Sequence, residues 1–390
     1  MRNKLALAAA AALALLSLQG CADKDVIEMA PVPQIQSAFS PDIMWDSSVG
    51  DGVGAFYSQL RPVVDENRIF AASRDGIVQA MDAKTGKRLW RIDLSDLKIN
   101  EDKRSVRLSG GLTSDNGNLY FGSEDGLVYA VSEQDGKLLW THSVPGEVVA
   151  APAVNSGKVV ISLTSGTLVA LDQQNGDQEW SFTDDQPSLL LRGASTPLIA
   201  GGAVFYGRPD GKVAVVLLSN GQLAHQFQVT TAKGGTELAR MVDVNAAPLI
   251  RNNVMYAIAY NGQLVANNVM TGQQLWKRKY TSYRNIAADG LNLYVTDDRN
   301  HIYSIDSQNG AEQWSNDLLE YRNVTAPVVY GDYLVVGDDE GYLYWFDLNS
   351  GKLKAMSKLS SSGIYAAPVV ADGTLYVQVR DGKLFAIRHA

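Results

Sequence analysis

The chain has 390 residues, 46% of them hydrophobic and 19% charged, with a formal net charge of -8. That is ample apolar sequence for a large core, and an acidic balance that argues against nucleic acid, whose phosphates select clustered Lys and Arg. Four histidines without ligand spacing (His142, His225, His301 and His389) and a single cysteine, Cys21, supply neither a metal site nor a disulfide framework, so no metal is expected.

Residues 1–20 read as a targeting segment. Arg2 and Lys4 form a positive head, Leu5 to Leu18 is an Ala/Leu run too short for a comfortable membrane span, and small residues follow. Leu18-Gln19-Gly20-Cys21 resembles the lipobox of bacterial lipoproteins, which implies cleavage before Cys21 and acylation of its thiol, palmitate included. An ordinary secretory leader with a stray thiol is the alternative. Several acyl chains on one residue would give durable anchoring. Ala22, where an inner-membrane lipoprotein would carry Asp, resembles lipoproteins sent to the outer membrane, so the expected location is the periplasmic face of that membrane. Residues 21–41 lack an apolar period, and Pro31, Pro33 and Pro41 disfavour helix and sheet interior. They read as a flexible tether of about 20 residues, reaching at most ~70 Å.

From residue 42 the chain repeats roughly every 40–50 residues, a period typical of propellers and solenoids. A turn glycine is followed four residues later by tryptophan at Gly86/Trp90, Gly136/Trp140, Gly176/Trp180, Gly272/Trp276 and Gly310/Trp314; Gly221/His225 and Gly351/Ala355 have lost the ring. A second turn precedes each, from Asp75-Gly76 to Asp381-Gly382, and many units open on proline, tolerated at the first residue of a strand. Each unit therefore predicts four antiparallel strands, and the whole an all-β, eight-bladed β-propeller over residues 42–390. The last unit ends too early for its fourth strand, whereas Asp42-Ile43-Met44-Trp45 stands alone before the first. The N-terminal strand is predicted to complete the eighth blade and close the ring.

The Leu-Tyr-Ala-x-Asp-x-x-x-Gly-x-x-x-Trp style of repeat is similar to that of quinoprotein (PQQ-like) propellers. Together with the lipobox, the short tether, eight blades without an added domain, and Pro187-Ser188-Leu189-Leu190-Leu191-Arg192-Gly193, it resembles the BamB family of outer-membrane assembly lipoproteins. The resemblance implies a non-catalytic scaffold of the β-barrel assembly (BAM) complex. Such a scaffold binds BamA through its periplasmic POTRA domains and, through BamA, the other subunits, and assists insertion of barrel proteins. Unfolded outer-membrane proteins are a further potential partner, since strand edges accept extended chains, though no residue is assigned to them.

Catalytic patterns are absent. No Ser/His/Asp, paired-carboxylate or Walker-type arrangement stands out, no cofactor is expected, and the tryptophans read as wedges between blades. His225 reads as a packing substitute for tryptophan. Gly50-Asp51-Gly52-Val53-Gly54 is not followed by a helix that could bind phosphate and reads as a flexible connection. A quinoprotein-like enzyme and a ligand-sensing propeller remain the rival readings.

The informative places are breaks in the repeat. Connections are longer after Trp90, Trp180 and His225, all expected on one face. The first holds mixed charge (Asp96, Lys98, Glu101, Asp102, Lys103, Arg104) and reads as solvated. The second carries three leucines followed by Arg192, either an interface anchor or a satellite core tucked under the rim. The third brings Glu237, Arg240, Asp243 and Asn245 beside it. By resemblance, BamA docking falls on Leu189, Leu191, Arg192 and Asp243. Asn245, where the family pattern has an acid, is left with hydrogen bonding alone. Loop adjacency further suggests that Asp243 holds Arg192 in place.

Overall fold

The computed structural model describes residues 27–97 and 106–389. Among them, 32 strands form eight four-stranded antiparallel sheets. Buried clusters bridge every pair of neighbouring sheets, the last to the first included, which sets the eight blades around a common axis. Blades 1 to 7 span residues 63–93, 108–143, 153–182, 198–228, 249–278, 287–316 and 328–358; blade 8 is 369–388 plus the strand Asp42–Ser48. Middle strands such as Asn118–Ser123 and Leu127–Ser132 are buried on both faces and read as apolar runs, whereas the outer strand Gln178–Phe182 buries only its tryptophan. The hydrophobic core is therefore divided among eight seams, one between each pair of adjacent blades.

The repeat motif builds these seams. At its aspartate position the carboxylate caps the turn that follows: Asp82 accepts from Thr85 N at 2.8 Å, and Asp347 from Ser350 N at 2.8 Å. The turn glycine then adopts positive φ and lies flat on the tryptophan of the preceding blade. A Cβ on Gly176 would sit 2.6 Å from Trp140 Cε3, and one on Gly221 equally close to Trp180. Each ring also donates its Nε1 across the seam, Trp140 to Gln173 O at 3.1 Å, Trp180 to Leu218 O at 2.9 Å and Trp276 to Ser307 O at 3.0 Å. The tryptophans are thus apolar wedges with one polar tip satisfied by the next blade.

The seam between blades 4 and 5 departs from this pattern. His225 is exposed, packs edge-on against Phe227 at 4.5 Å, and leaves room at Gly272, where an added Cβ would meet its Nε2 at an ordinary 3.5 Å. It substitutes for the wedge in position but makes no hydrogen bond across the seam among the described residues. His225→Trp is expected to stabilise the ring by about 1 kcal/mol through added apolar burial and a bond to the Val269 carbonyl. Urea unfolding checks it; a destabilised variant would show that the seam has no room for the ring.

Closure follows the predicted route. The strand Asp42–Ser48 pairs antiparallel with Lys383–Arg388, from Asp42 opposite Arg388 to Ser48 opposite Lys383. Trp45 repeats the clasp, with Nε1 donating to Ala83 O at 3.0 Å and its ring covering Gly86 of blade 1.

Two connections differ from their sequence reading. Of the expected tether, residues 27–41 are extended but lie along the body: Ala30 N donates to Glu320 O at 2.9 Å, Ala38 N to Lys354 O at 2.8 Å, and Phe39 packs between Tyr333 and His389. Proline spacing excludes regular structure there without excluding docking. The glycine run 50–54 does link blade 8 to blade 1, but it is pinned, with Val53 N and Gly54 N both donating to Arg380 O at 3.0 Å.

Candidate functional site

Connections between blades and the turns joining second to third strands share one face, here the upper face. The connection from blade 3 to blade 4 is anchored at its base by Arg208, 1% exposed, whose guanidinium donates to Asp184 Oδ2 at 2.5 Å and Asp185 O at 3.1 Å. That contact holds the Asp184 carboxyl below its usual range. Above the anchor, Leu189 projects with 42% of its surface exposed, while Leu190 and Leu191 are half-buried and Arg192 is exposed. The leucine run thus neither forms a satellite core nor begins the next strand, which starts at Leu198.

The connection from blade 4 to blade 5 buttresses this loop. Ser188 Oγ donates to Glu237 Oε2 at 3.2 Å, and Leu191 N donates to Asp243 Oδ2 at 3.2 Å. The short 3-10 turn Leu238–Arg240 leaves Leu238 67% exposed. Sequence reading missed Leu238, although an apolar residue between Glu237 and Arg240 in a polar loop was the available signal.

Asp243 does not hold Arg192. Its carboxylate is buried, 1% exposed, and is spent on the Leu191 backbone; Arg192 instead pairs with Glu147 at 3.2 Å and Glu124 at 3.3 Å. Loop adjacency misled because Asp243 points under the loop while Arg192 reaches the other way, toward blades 2 and 3. Glu124 also accepts from Arg74 at 2.9 Å, and the exposed ring of Phe56 stacks on Arg74 at 3.8 Å. Arg192 therefore ends a charge relay across the upper face. Asn245 lies on the wall of the central channel, packed against the same loop at Gly193: its amide nitrogen is 2.9 Å from where a Cβ on Gly193 would sit. Cys21 and most of the charged connection after Trp90 lie outside the described residues. Among the described residues, no group of three or more His, Cys, Asp or Glu is placed to hold a metal, and no helix is long and apolar enough to cross a membrane.

Burial without a cationic partner pushes the Asp243 carboxyl up to about 6, against an ordinary 3.8. A carboxyl raised in the folded state contributes stability that is present below pH ~4 and is lost as pH rises through ~6, at most about 3 kcal/mol for this shift. Asp243→Asn keeps an oxygen for Leu191 N and removes the buried charge. Urea unfolding is expected to show the variant about 1–3 kcal/mol more stable than wild type at pH 7.5 and equal to it at pH 4. A difference independent of pH would contradict a buried ionised Asp243.

A family model described as "Outer membrane protein assembly factor BamB" matches residues 37–101, 74–316 and 319–390. The protein of that name from Vibrio cholerae is 44% identical, covering 97% of this chain and 96% of its own length; the one from Yersinia pestis is 41% identical over 98% of both. The chain belongs to the BamB family. The crystal structure of BamB from Moraxella catarrhalis, at 21% identity, superposes with a TM-score of 0.80 over 90% of this chain and all of its own, showing the same fold. The BamB match starts at residue 37 and so takes in Phe39 and the closing strand.

Proposed function

We propose that this chain is a non-catalytic scaffold of the outer-membrane β-barrel assembly complex, anchored by lipid on Cys21 at the periplasmic face of the outer membrane, and that its upper rim docks a periplasmic POTRA domain of BamA. The relatives' name, an outer membrane protein assembly factor, supports the setting. The observation that carries the rim assignment is Leu189, 42% exposed on a loop braced from below by Arg208 and Asp243 and flanked by Arg192 and Leu238. An exposed leucine held on a stiff loop loses little entropy on docking, and an adjacent arginine is a typical interface anchor. Asp243, being buried, acts as a positioning residue for the Leu191 backbone.

The reading is tested by binding of the full-length protein, in detergent, to the isolated POTRA region of BamA. Saturable binding that is lost when Leu189 and Arg192 are replaced supports scaffold and site together. Binding that survives those replacements refutes the rim, and no binding at all refutes the partner.

A further inference from the structure

The central channel opens on the upper face into a cavity of about 130 Å³. Its wall comes from connections before seven of the eight blades and includes Arg61, Arg284, Tyr57, Tyr283, Tyr365 and Asn245. In a chain with a net charge of -8, this mouth holds two arginines and no Asp or Glu. Arg284 is tied down by neutral groups: it donates to Asn323 Oδ1 at 3.0 Å and Asp297 O at 3.4 Å and stacks over Tyr283 at 4.4 Å. The Asp297 carboxylate is turned away, accepting from Tyr303 Oη at 3.2 Å and from the backbone N–H of Arg299 and His301. The Arg61 side chain is exposed to channel water and has no hydrogen-bond or carboxylate partner among the described residues. Burial of charge holds both guanidinium groups below the usual arginine range.

Two arginines line one confined cavity whose wall holds no carboxylate, and Asp297, the acid nearest in effect to Arg284, has its carboxylate bonded elsewhere, so a bound anion offsets the cost of desolvating each guanidinium. Guanidinium forks match carboxylates in plane and donor spacing, the Asn245, Asn285 and Asn323 amides add neutral donors, and the tyrosines give an apolar wall for a short carbon body. We propose that the channel mouth binds a small polycarboxylate anion, held by Arg61 and Arg284. This site adjoins the rim loop at Gly193 but uses Arg61 and Arg284, neither of which belongs to the rim, and does not depend on the rim's assignment.

The test is calorimetric titration and thermal melting of the full-length protein with succinate and citrate at fixed ionic strength, beside the neutral isostere succinamide and inorganic phosphate. The expected result is one bound carboxylate per chain, a raised melting temperature, no effect of succinamide, and phosphate bound more weakly than citrate. Arg61→Gln and Arg284→Gln should each weaken binding by about tenfold or more, and Arg61→Lys by less. Circular dichroism confirms that each variant is folded. No binding up to roughly 10 mM carboxylate, binding that survives both glutamine variants, or phosphate bound more tightly than citrate would each overturn the proposal.

Discussion

Trp45→Ala is expected to destabilise the ring by about 3–5 kcal/mol, and deletion of residues 38–47 by more. Trp45 is 9% exposed and packs with Val49, Ile69, Met81, Tyr376 and Leu384 in the seam that joins the last blade to the first. Its indole shares the Ala83 carbonyl with Tyr376 Oη, which donates to it at 3.1 Å, so truncation opens a cavity and loosens two blades at once. Removing the whole strand also strips the backbone partners of Lys383–Arg388 and leaves that strand as the bare outer edge of a three-stranded blade. Chemical unfolding followed by far-UV circular dichroism reads both. An unchanged midpoint for the deletion would show that the ring closes without its N-terminal strand.

Leu189→Ala combined with Arg192→Glu is expected to weaken binding to the POTRA region of BamA by about a hundredfold or more, while folding stability changes little. Leu189 has few intramolecular contacts to lose, since nearly half its surface is open. The charge reversal sets a third carboxylate beside Glu124 and Glu147, repelling the loop from the face on which Arg192 now rests. Arg192→Gln separates the two effects: it removes the interface charge without repulsion and should retain part of the loss. Equal affinities for wild type and the double variant, with both folded, would remove the rim from the interface.

The fold was legible because each repeat carries its own turn chemistry, and the unpaired Asp42-Ile43-Met44-Trp45 left one place to close. The rim was legible at Leu189 and Arg192, where an apolar run interrupts a polar loop. Partner choice within the rim was not: Arg192 pairs with Glu124 and Glu147, distant in sequence, and not with Asp243 of the adjacent loop, because the direction of the loop in space decides which acids it reaches. Phe39 and Ala30 were hidden for a different reason, because docking of an extended segment uses isolated contacts and leaves no period. The two arginines of the channel were hidden because Arg61 and Arg284 are more than two hundred residues apart and come to line one cavity only when the ring closes.

Hydrogen–deuterium exchange of the full-length protein, with and without the POTRA region of BamA, tests the docking rim most directly. The account predicts slowed exchange at residues 186–193 and 236–243, with the turns of the opposite face, around Gly136 and Gly176, unchanged. Protection of those opposite turns with the rim unaffected would contradict it.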